Sequence, residues 1–402
     1  MSTFSVPVVK IASVENHDNA DRLSIIKMEG LGFTAIANKL EDGSPRYKVG
    51  DMVCYIPSQS VLPEWLLKEM EFWNPETGKG TLSGPNGDRI SPKKLRGVFS
   101  EGLMYPVKFD AGLAHFETGT YIELDPAEND EYGPNWLTNV FVGLDVAESL
   151  GITKWEPPVP TALSGEVANV GASAVNYDFD RWEQNPDIFE DGEEVTVVEK
   201  CHGTFLCLQW IPGLNHPEMF GETGNIVVGS KGLIKQGLVF KNNQANNGNV
   251  YVQVLRRLLD TGLERNLAAV SYMFSNPVKI YGEVFGGSIQ DLKYGLTAPT
   301  FQVFDVQIGN SFEPRFAAEN LCVSMGLTML PMLYQGPFDL AAIEKVRDGK
   351  TTISGDNIRE GVVVTSANQT AHPKYGRRIA KFISPDYLTR KAPKGSEATE
   401  YQ

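Results

Sequence analysis

The chain has 402 residues, 42% of them hydrophobic and 21% charged, with a formal net charge of −14. That length exceeds one ordinary core and predicts two or three domains of a globular protein. The acidity argues against a generally basic nucleic-acid binder, and no apolar run is long enough to span a bilayer.

In chain order, residues 5 to about 125 read as short strands with Gly, Asn and Asp between them: "VPVVKIASVEN", "LSIIKME", "FTAIANK" and "DMVCYIP". Several short strands without strong helices predict a small barrel. Residues 74–89 are rich in Gly, Pro and Asn and read as a long loop, and 135–152 look partly helical. The stretch 153–166, with three prolines in four residues, reads as a stiff linker. The expected division is therefore 1–155, a linker over 156–175, a second domain over 176–395 and a tail over 396–402. Beyond residue 170 strands and helices mix. "VTVVEK", "TFLCLQW", "NPVKIYGEVFGG", "TFQVFDVQIG", "REGVVVTS" and "RRIAKFIS" read as strands. Residues 250–267, "FAAENLCVSMGL" and "DLAAIEKVRDG" have helical spacing, the first with a glycine interruption.

The N-terminus lacks the basic-then-apolar order of a signal peptide, so a cytoplasmic protein without membrane attachment is expected. Cys54, Cys201, Cys207 and Cys322 form no C-x-x-C pair and only five histidines are present, which speaks against structural zinc or a disulfide framework. Residues 371–395 hold seven Lys and Arg against Asp386, a basic island expected either to contact nucleic acid or to be a solvated tail.

One short stretch stands out. Between the strands "VTVV" and "TFLCLQW" lie Glu199, Lys200, Cys201, His202 and Gly203. A lysine at a strand end is costly to desolvate unless its head reaches water or the site uses it unprotonated. A nucleophilic lysine must be neutral, through burial or a nearby positive charge such as a metal. Lys200 to Gly203 fits K-x-x-G, but so do Lys27 to Gly30 and Lys94 to Gly97, so the pattern alone decides nothing. Order and spacing add weight. After Lys200 come Lys231 in "GSKG", Glu283 in "YGEVFG", Phe301, Phe304 and Asp305 in "FQVFDV", Glu360 in "REGVVV" and Lys381 in "RIAKFISPDYL".

This series resembles the ordered motifs of covalent nucleotidyltransferases, the ATP-dependent ligases and RNA capping enzymes. "EKCHGT" is similar to the RNA-ligase form of the lysine motif, with histidine two residues after the lysine. The chain as a whole looks most like RNA ligases of the Deinococcus type, and "VVKIASVENHDNADRLSIIKM" and "KLRGVFSEGLM" resemble tRNA-binding OB domains. The implied fold is α+β: an N-terminal OB-like β-barrel followed by a mixed α/β, ATP-grasp-like nucleotidyltransferase domain. The resemblance implies that Lys200 takes AMP from ATP with Mg²⁺, or Mn²⁺ in its place. It also implies that AMP passes to a 5′-phosphate and that a 3′-OH on RNA, or on an RNA/DNA strand pair, completes the join. Glu360 and Glu283 would hold the metal. Lys381 and Lys231 would contact phosphate or ribose, and Gly203 would border the nucleotide. Phe304, or Phe301 by register, would stack on adenine, and Glu199 would accept from its amino group. His202 would guide pyrophosphate departure or a later step. Ile379 stands where such motifs often have a second lysine, with Arg377 or Arg378 as substitutes. No stable protein partner is implied. The rivals are a DNA-preferring ligase, a capping guanylyltransferase, which would carry its OB domain after the core, and a non-catalytic RNA- or tRNA-binding protein. The last leaves Lys200, Glu283, Glu360 and Lys381 unexplained.

Overall fold

Val8–Asn16 (β1), Leu23–Met28 (β2), Thr34–Asn38 (β3), Met52–Ile56 (β4) and Leu103–Pro106 (β5) form one antiparallel sheet in the order β5-β4-β1-β2-β3. The computed structural model describes residues 4–110, 113–115, 141–156, 163–170, 175–287 and 289–391. Strand β1 serves both halves of the sheet. Val8 to Lys10 pair with β4, and from Ile11 onward it pairs with β2 after a bulge. The edges nearly meet, because the Glu101 N–H donates to the Thr34 carbonyl at 2.9 Å and the Ile36 N–H to Ser100 Oγ at 3.0 Å. Period-2 alternation sends Val9 and Val53 into one core with Ile26, Phe33 and Tyr55. Val8 and Cys54 enter a second core with Leu62, Leu66 and Ile152. With both faces covered, β4 is buried at all five positions, which is why it reads as a continuous apolar run.

The helix expected over 135–152 does not form across its described part, 141–152, which makes turns. Asp145 Oδ1 accepts from the Val6 and Ala147 N–H groups, and Gly143 has φ 91°. A side chain that captures local N–H groups and a left-handed glycine both compete with helix formation. Residues 135–140, the prolines 157, 158 and 160, Lys394 and the tail 396–402 lie outside the described residues.

The chain divides into two compact units, Met1–Glu156 with Glu183–Pro186, and Pro157–Trp182 with Asp187–Gln402. Val167–Asn169, inside the stretch 156–175, pairs with Leu238–Phe240 of the second unit. The two largest sheets among the described residues of this unit frame the rest. One contains Glu194–Lys200 (β6), Met332–Pro337 (β11), Gly361–Ser366 (β12) and Ile379–Ile383 (β13), in the order β11-β6-β12-β13. The other contains Thr204–Trp210 (β7), Ile226–Ser230 (β8), Val278–Phe285 (β9) and Thr300–Ile308 (β10), in the order β8-β7-β9-β10, with Ser311–Phe312 at its edge. Residues 201–203 turn the chain from the first sheet into the second.

Counting Glu64–Glu69 of the barrel as α1, the second unit adds Lys231–Lys235 (α2), Val250–Leu259 (α3), Leu263–Phe274 (α4), Arg315–Met325 (α5), Leu340–Arg347 (α6) and Pro385–Leu388 (α7). The glycine interruption noted above is Gly262, at φ 85° between α3 and α4. Leu255, Leu263, Leu267 and Cys322 of α3, α4 and α5 pack on Leu206, Leu208, Val278 and Ile280 of the second sheet. Among the described residues no helix is long and apolar enough to cross a membrane.

Candidate active site

Strand alternation decides which side chains meet. On β6, Val195 and Val197 enter the core with Val362, Val364, Ala380 and Phe382. Thr196, Val198 and Lys200 therefore face the other way, into a half-enclosed cavity. Register extends this face across the sheet: Val198 lies opposite Val363, and Val363 opposite Lys381, while Thr196 lies opposite Thr365, and Thr365 opposite Ile379. From the second sheet and its flanks come Phe205, Glu283, Phe304, Asp305, Lys231, Tyr177 and Phe179. A cavity with one aromatic wall and several cations is suited to a nucleotide.

Lys200 ends β6 at the edge of this cavity, and its Nζ meets Glu360 Oε1 at 2.5 Å. The other oxygen of Glu360 is buried without a hydrogen-bond partner, 3.9 Å from His202 Nδ1. Glu283 is also close to Lys200. Burial pushes its carboxyl up to about 8, with Lys200 opposing the rise and Glu360 adding to it. Gly203 is required by a close approach, since a Cβ there would lie 2.3 Å from the Val284 carbonyl oxygen and 2.8 Å from Glu283 Cγ. The competing K-x-x-G lysines, Lys27 and Lys94, are exposed on barrel strands.

His202 is 2% exposed and held on both ring nitrogens. Nε2 donates to Asp291 Oδ1 at 2.7 Å, and Nδ1 lies 2.8 Å from the Tyr387 hydroxyl. Arg390 Nη2 reaches both Asp291 oxygens at 3.0 Å. Burial pushes Asp291 up, but the His202 hydrogen bond and the Arg390 charge outweigh it and hold the carboxyl at about 2.

Lys231 begins α2 and lines the cavity with its Nζ 2.6 Å from Asp178 Oδ1. Burial pushes Asp178 up, but Lys231 and Lys235 outweigh it and hold it at about 2. Lys381 lines the cavity with its Nζ 5.3 Å from the centre of the Phe179 ring. Phe304 borders the cavity beside Tyr177 and Phe205, whereas Phe301 packs against the core with its ring over Gly282.

Glu199 departs from the expectation that it reads adenine. Its carboxylate accepts from Thr351 Oγ1 at 2.5 Å and from the Thr352 N–H and Oγ1 at 2.7 Å, and Arg359 Nε lies 3.4 Å away. Glu199 lines the cavity, but its carboxylate is engaged by these partners and leaves no free acceptor for a base. The basic island also departs from expectation. Arg377 is paired with Asp305 at 2.5 Å, Arg378 with Glu190 and Glu193 at 2.6 Å, and Arg390 with Asp291. Arg378 therefore replaces no cavity cation. Arg377 lines the cavity, but with its charge shared by Asp305. Tyr177, Phe179, Asp291 and Tyr387 escaped the sequence reading. The alternating aromatics of "YDFD" at 177–180 were a usable signal for the first two.

Residues 193–383 match the family model described as RNA ligase. This segment belongs to the RNA ligase family. Residues 5–107 match a model described as an OB-fold domain, in agreement with the barrel. No curated protein matches by sequence. Among solved structures, a lysine-to-alanine variant of Naegleria gruberi RNA ligase with ATP and Mn superposes with a TM-score of 0.65 at 20% identity, covering 96% of this chain and 98% of that one. A glutamate-to-alanine variant of the same ligase with ATP and Mn gives 0.66 at 21% identity, covering 95% and 98%. The ligase with PPi gives 0.63 at 21% identity, covering 95% and 97%. The chain thus shares its α+β architecture, barrel first, with these proteins over nearly their whole length.

Proposed function

We propose that the chain is an ATP-dependent RNA ligase that joins 3′-OH and 5′-phosphate ends, at nicks in duplexes, through lysyl-AMP at Lys200. The observation that carries this reading is Lys200 itself: a strand-end amine at the edge of an aromatic-walled cavity, paired with Glu360, inside the RNA ligase segment. Lys200 Nζ attacks the α-phosphorus of ATP. A P–N bond forms, the bond to the β-phosphate bridge breaks and pyrophosphate leaves. A terminal 5′-phosphate oxygen then takes the AMP, breaking the P–N bond and freeing Lys200. A 3′-OH attacks the activated 5′-phosphate and AMP departs.

An ammonium held by a carboxylate is not a nucleophile, so Glu360 must be engaged by another cation while Lys200 reacts. A divalent metal fits that requirement. Glu360 has a buried, unpartnered oxygen, and Glu283 is a second carboxylate close to Lys200. Among the described residues no group of three or more His, Cys, Asp or Glu side chains forms a metal cage. Two carboxylates with water and phosphate oxygens are how Mg²⁺ is usually held, and Mn²⁺ accepts the same donors. When bound, the metal supplies charge neutralisation at the phosphates. Lys381 and Lys231 supply further positive charge there, Phe304 offers a stacking face to the base, and His202 borders Glu360 in a fixed orientation. The Naegleria gruberi RNA ligase structures hold ATP with Mn, AMP with Mn, and PPi, which supports the same nucleotide and metal chemistry for this chain.

We assign the OB-fold domain to the nucleic-acid steps, where such barrels offer a groove to single strands. The four cysteines are free and buried, which suits a reducing compartment such as the cytoplasm. Incubation with α-labelled ATP and Mg²⁺ tests the first step: label stays on the denatured wild type and is absent from Lys200→Ala. Nicked duplexes with RNA or DNA on each side of the break then test end chemistry and strand preference. Label retained by the Lys200 variant would overturn the assignment.

A further inference from the structure

With the Glu199 carboxylate engaged by Thr351 and Thr352, the cavity lacks the acceptor expected for the adenine amino group, and two other side chains of its lining are unspent. Arg315 opens α5 and is nine-tenths buried. Its Nε meets Glu319 at 2.7 Å and its Nη2 donates to the Leu330 carbonyl at 2.7 Å, but Nη1 is buried with no acceptor. Two residues earlier, Glu313 also lines the cavity, and no group among the described residues bonds its carboxyl. The segment is fixed from both sides. The Glu313 N–H donates to the Val306 carbonyl at 2.9 Å, and Gln369 Nε2 reaches the Glu313 carbonyl. Both side chains share the cavity with Phe304, the ring suited to stack on a base.

We propose that Glu313 and Arg315 read the base: the Glu313 carboxyl accepts from the 6-amino group and Arg315 Nη1 donates to the neighbouring ring nitrogen, N1 or N7. An acceptor beside a donor matches adenine on either edge. Guanine presents an acceptor, O6, where Glu313 needs a donor, so the pair selects ATP against GTP. A buried guanidinium N–H without a partner is costly, and a ring nitrogen removes that cost. Burial pushes the Glu313 carboxyl upward, in keeping with its enclosed position.

The inference rests on the adenylylation reading above and is tested by the rate at which the full-length protein acquires covalent nucleotide. The probes are ATP, 1-deaza-ATP, 7-deaza-ATP and purine riboside triphosphate, which lacks the amino group. Wild type should react about tenfold more slowly with purine riboside triphosphate and with one of the two deaza analogues, the size of one charge-assisted hydrogen bond. Arg315→Met should react equally with ATP and that deaza analogue. Glu313→Ala should react equally with ATP and purine riboside triphosphate. Each ratio is taken within one variant, so a general loss of folded protein cancels. Arg315→Gln and Glu313→Gln replace any variant that fails to fold. Full wild-type discrimination retained in both variants would overturn the inference. A wild-type protein that acquires no nucleotide from ATP would overturn the adenylylation reading itself, and this inference with it.

Discussion

In the N-terminal barrel, β4 is buried along its whole length and the interior is built mainly from Val, Ile, Met and aromatic side chains, with His17, Arg89 and Glu101 buried at its margins. In the ligase domain the interior also takes in Glu199, His202, Asp305, Arg359, Glu360 and Arg378. A buried charge is tolerated only when paired and hydrogen-bonded, so each of these invites a count of its partners. Glu199 has four donors around it and reads as architecture. Glu360 Oε2 and Arg315 Nη1 have none, and both belong to residues at or beside the cavity. Both domains bury charge, Arg89 and Glu101 in the barrel included, but at Glu360 and Arg315 the atom without a hydrogen-bond partner belongs to a residue at or beside the cavity, where a ligand's atoms can complete it.

The sharpest way to break this comparison is at the lysines. Lys200→Ala should abolish covalent AMP, while Lys27→Ala and Lys94→Ala, on exposed barrel strands, should leave it unchanged on a denaturing gel. Next in size is Glu360→Ala, which removes the carboxylate that holds Lys200. AMP transfer should slow on the order of 100-fold, measured by single-turnover quench, as when an electrostatic stabiliser is lost. Glu199→Ala should act on stability instead, leaving Arg359 and two threonines without their acceptor. A loss of about 3–5 kcal/mol in denaturant unfolding is expected. The exposed barrel residue Glu15→Ala should change stability by about 0.5 kcal/mol or less.

A pH-dependent effect is expected at Asp178. Its carboxyl is held at about 2 against an ordinary 3.8, so the contribution is present above pH 3.8 and is lost as pH falls through 2. Wild type and Asp178→Asn should differ in thermal stability at pH 5 and converge near pH 2. A gap that persists at pH 2 would show that packing, and not the pairing with Lys231 and Lys235, carries the contribution.

Much of this was legible beforehand. Every strand and helix anticipated beyond residue 190 is present, because period-2 and helical spacing are local properties of the chain. The turns at 141–152, within a stretch read as partly helical, rest on a tertiary contact: Asp145 bonds to Val6, 139 residues away, and no local pattern reveals that partner. The pairing of two arginines within the basic island was hidden for the same reason, since their acids lie far off in sequence, Glu190 and Glu193 for Arg378 and Asp305 for Arg377.

Motif order was enough to single out Lys200 from three K-x-x-G matches and to gather Lys231, Glu283, Phe304, Glu360 and Lys381 as candidates. It also anticipated an OB-like barrel followed by a strand-rich ligase domain. Which way the side chains face, and what they touch, was decided only by the fold. Glu199 finds Thr351 at a separation of 152 residues, and His202 finds Asp291 and Tyr387 at 89 and 185. Hydrogen bonds act over about 3 Å and carry no mark in the sequence of the partner they will have, so only the closing of the sheets around the cavity could separate Glu199, held by Thr351 and Thr352, from Glu360, which meets Lys200.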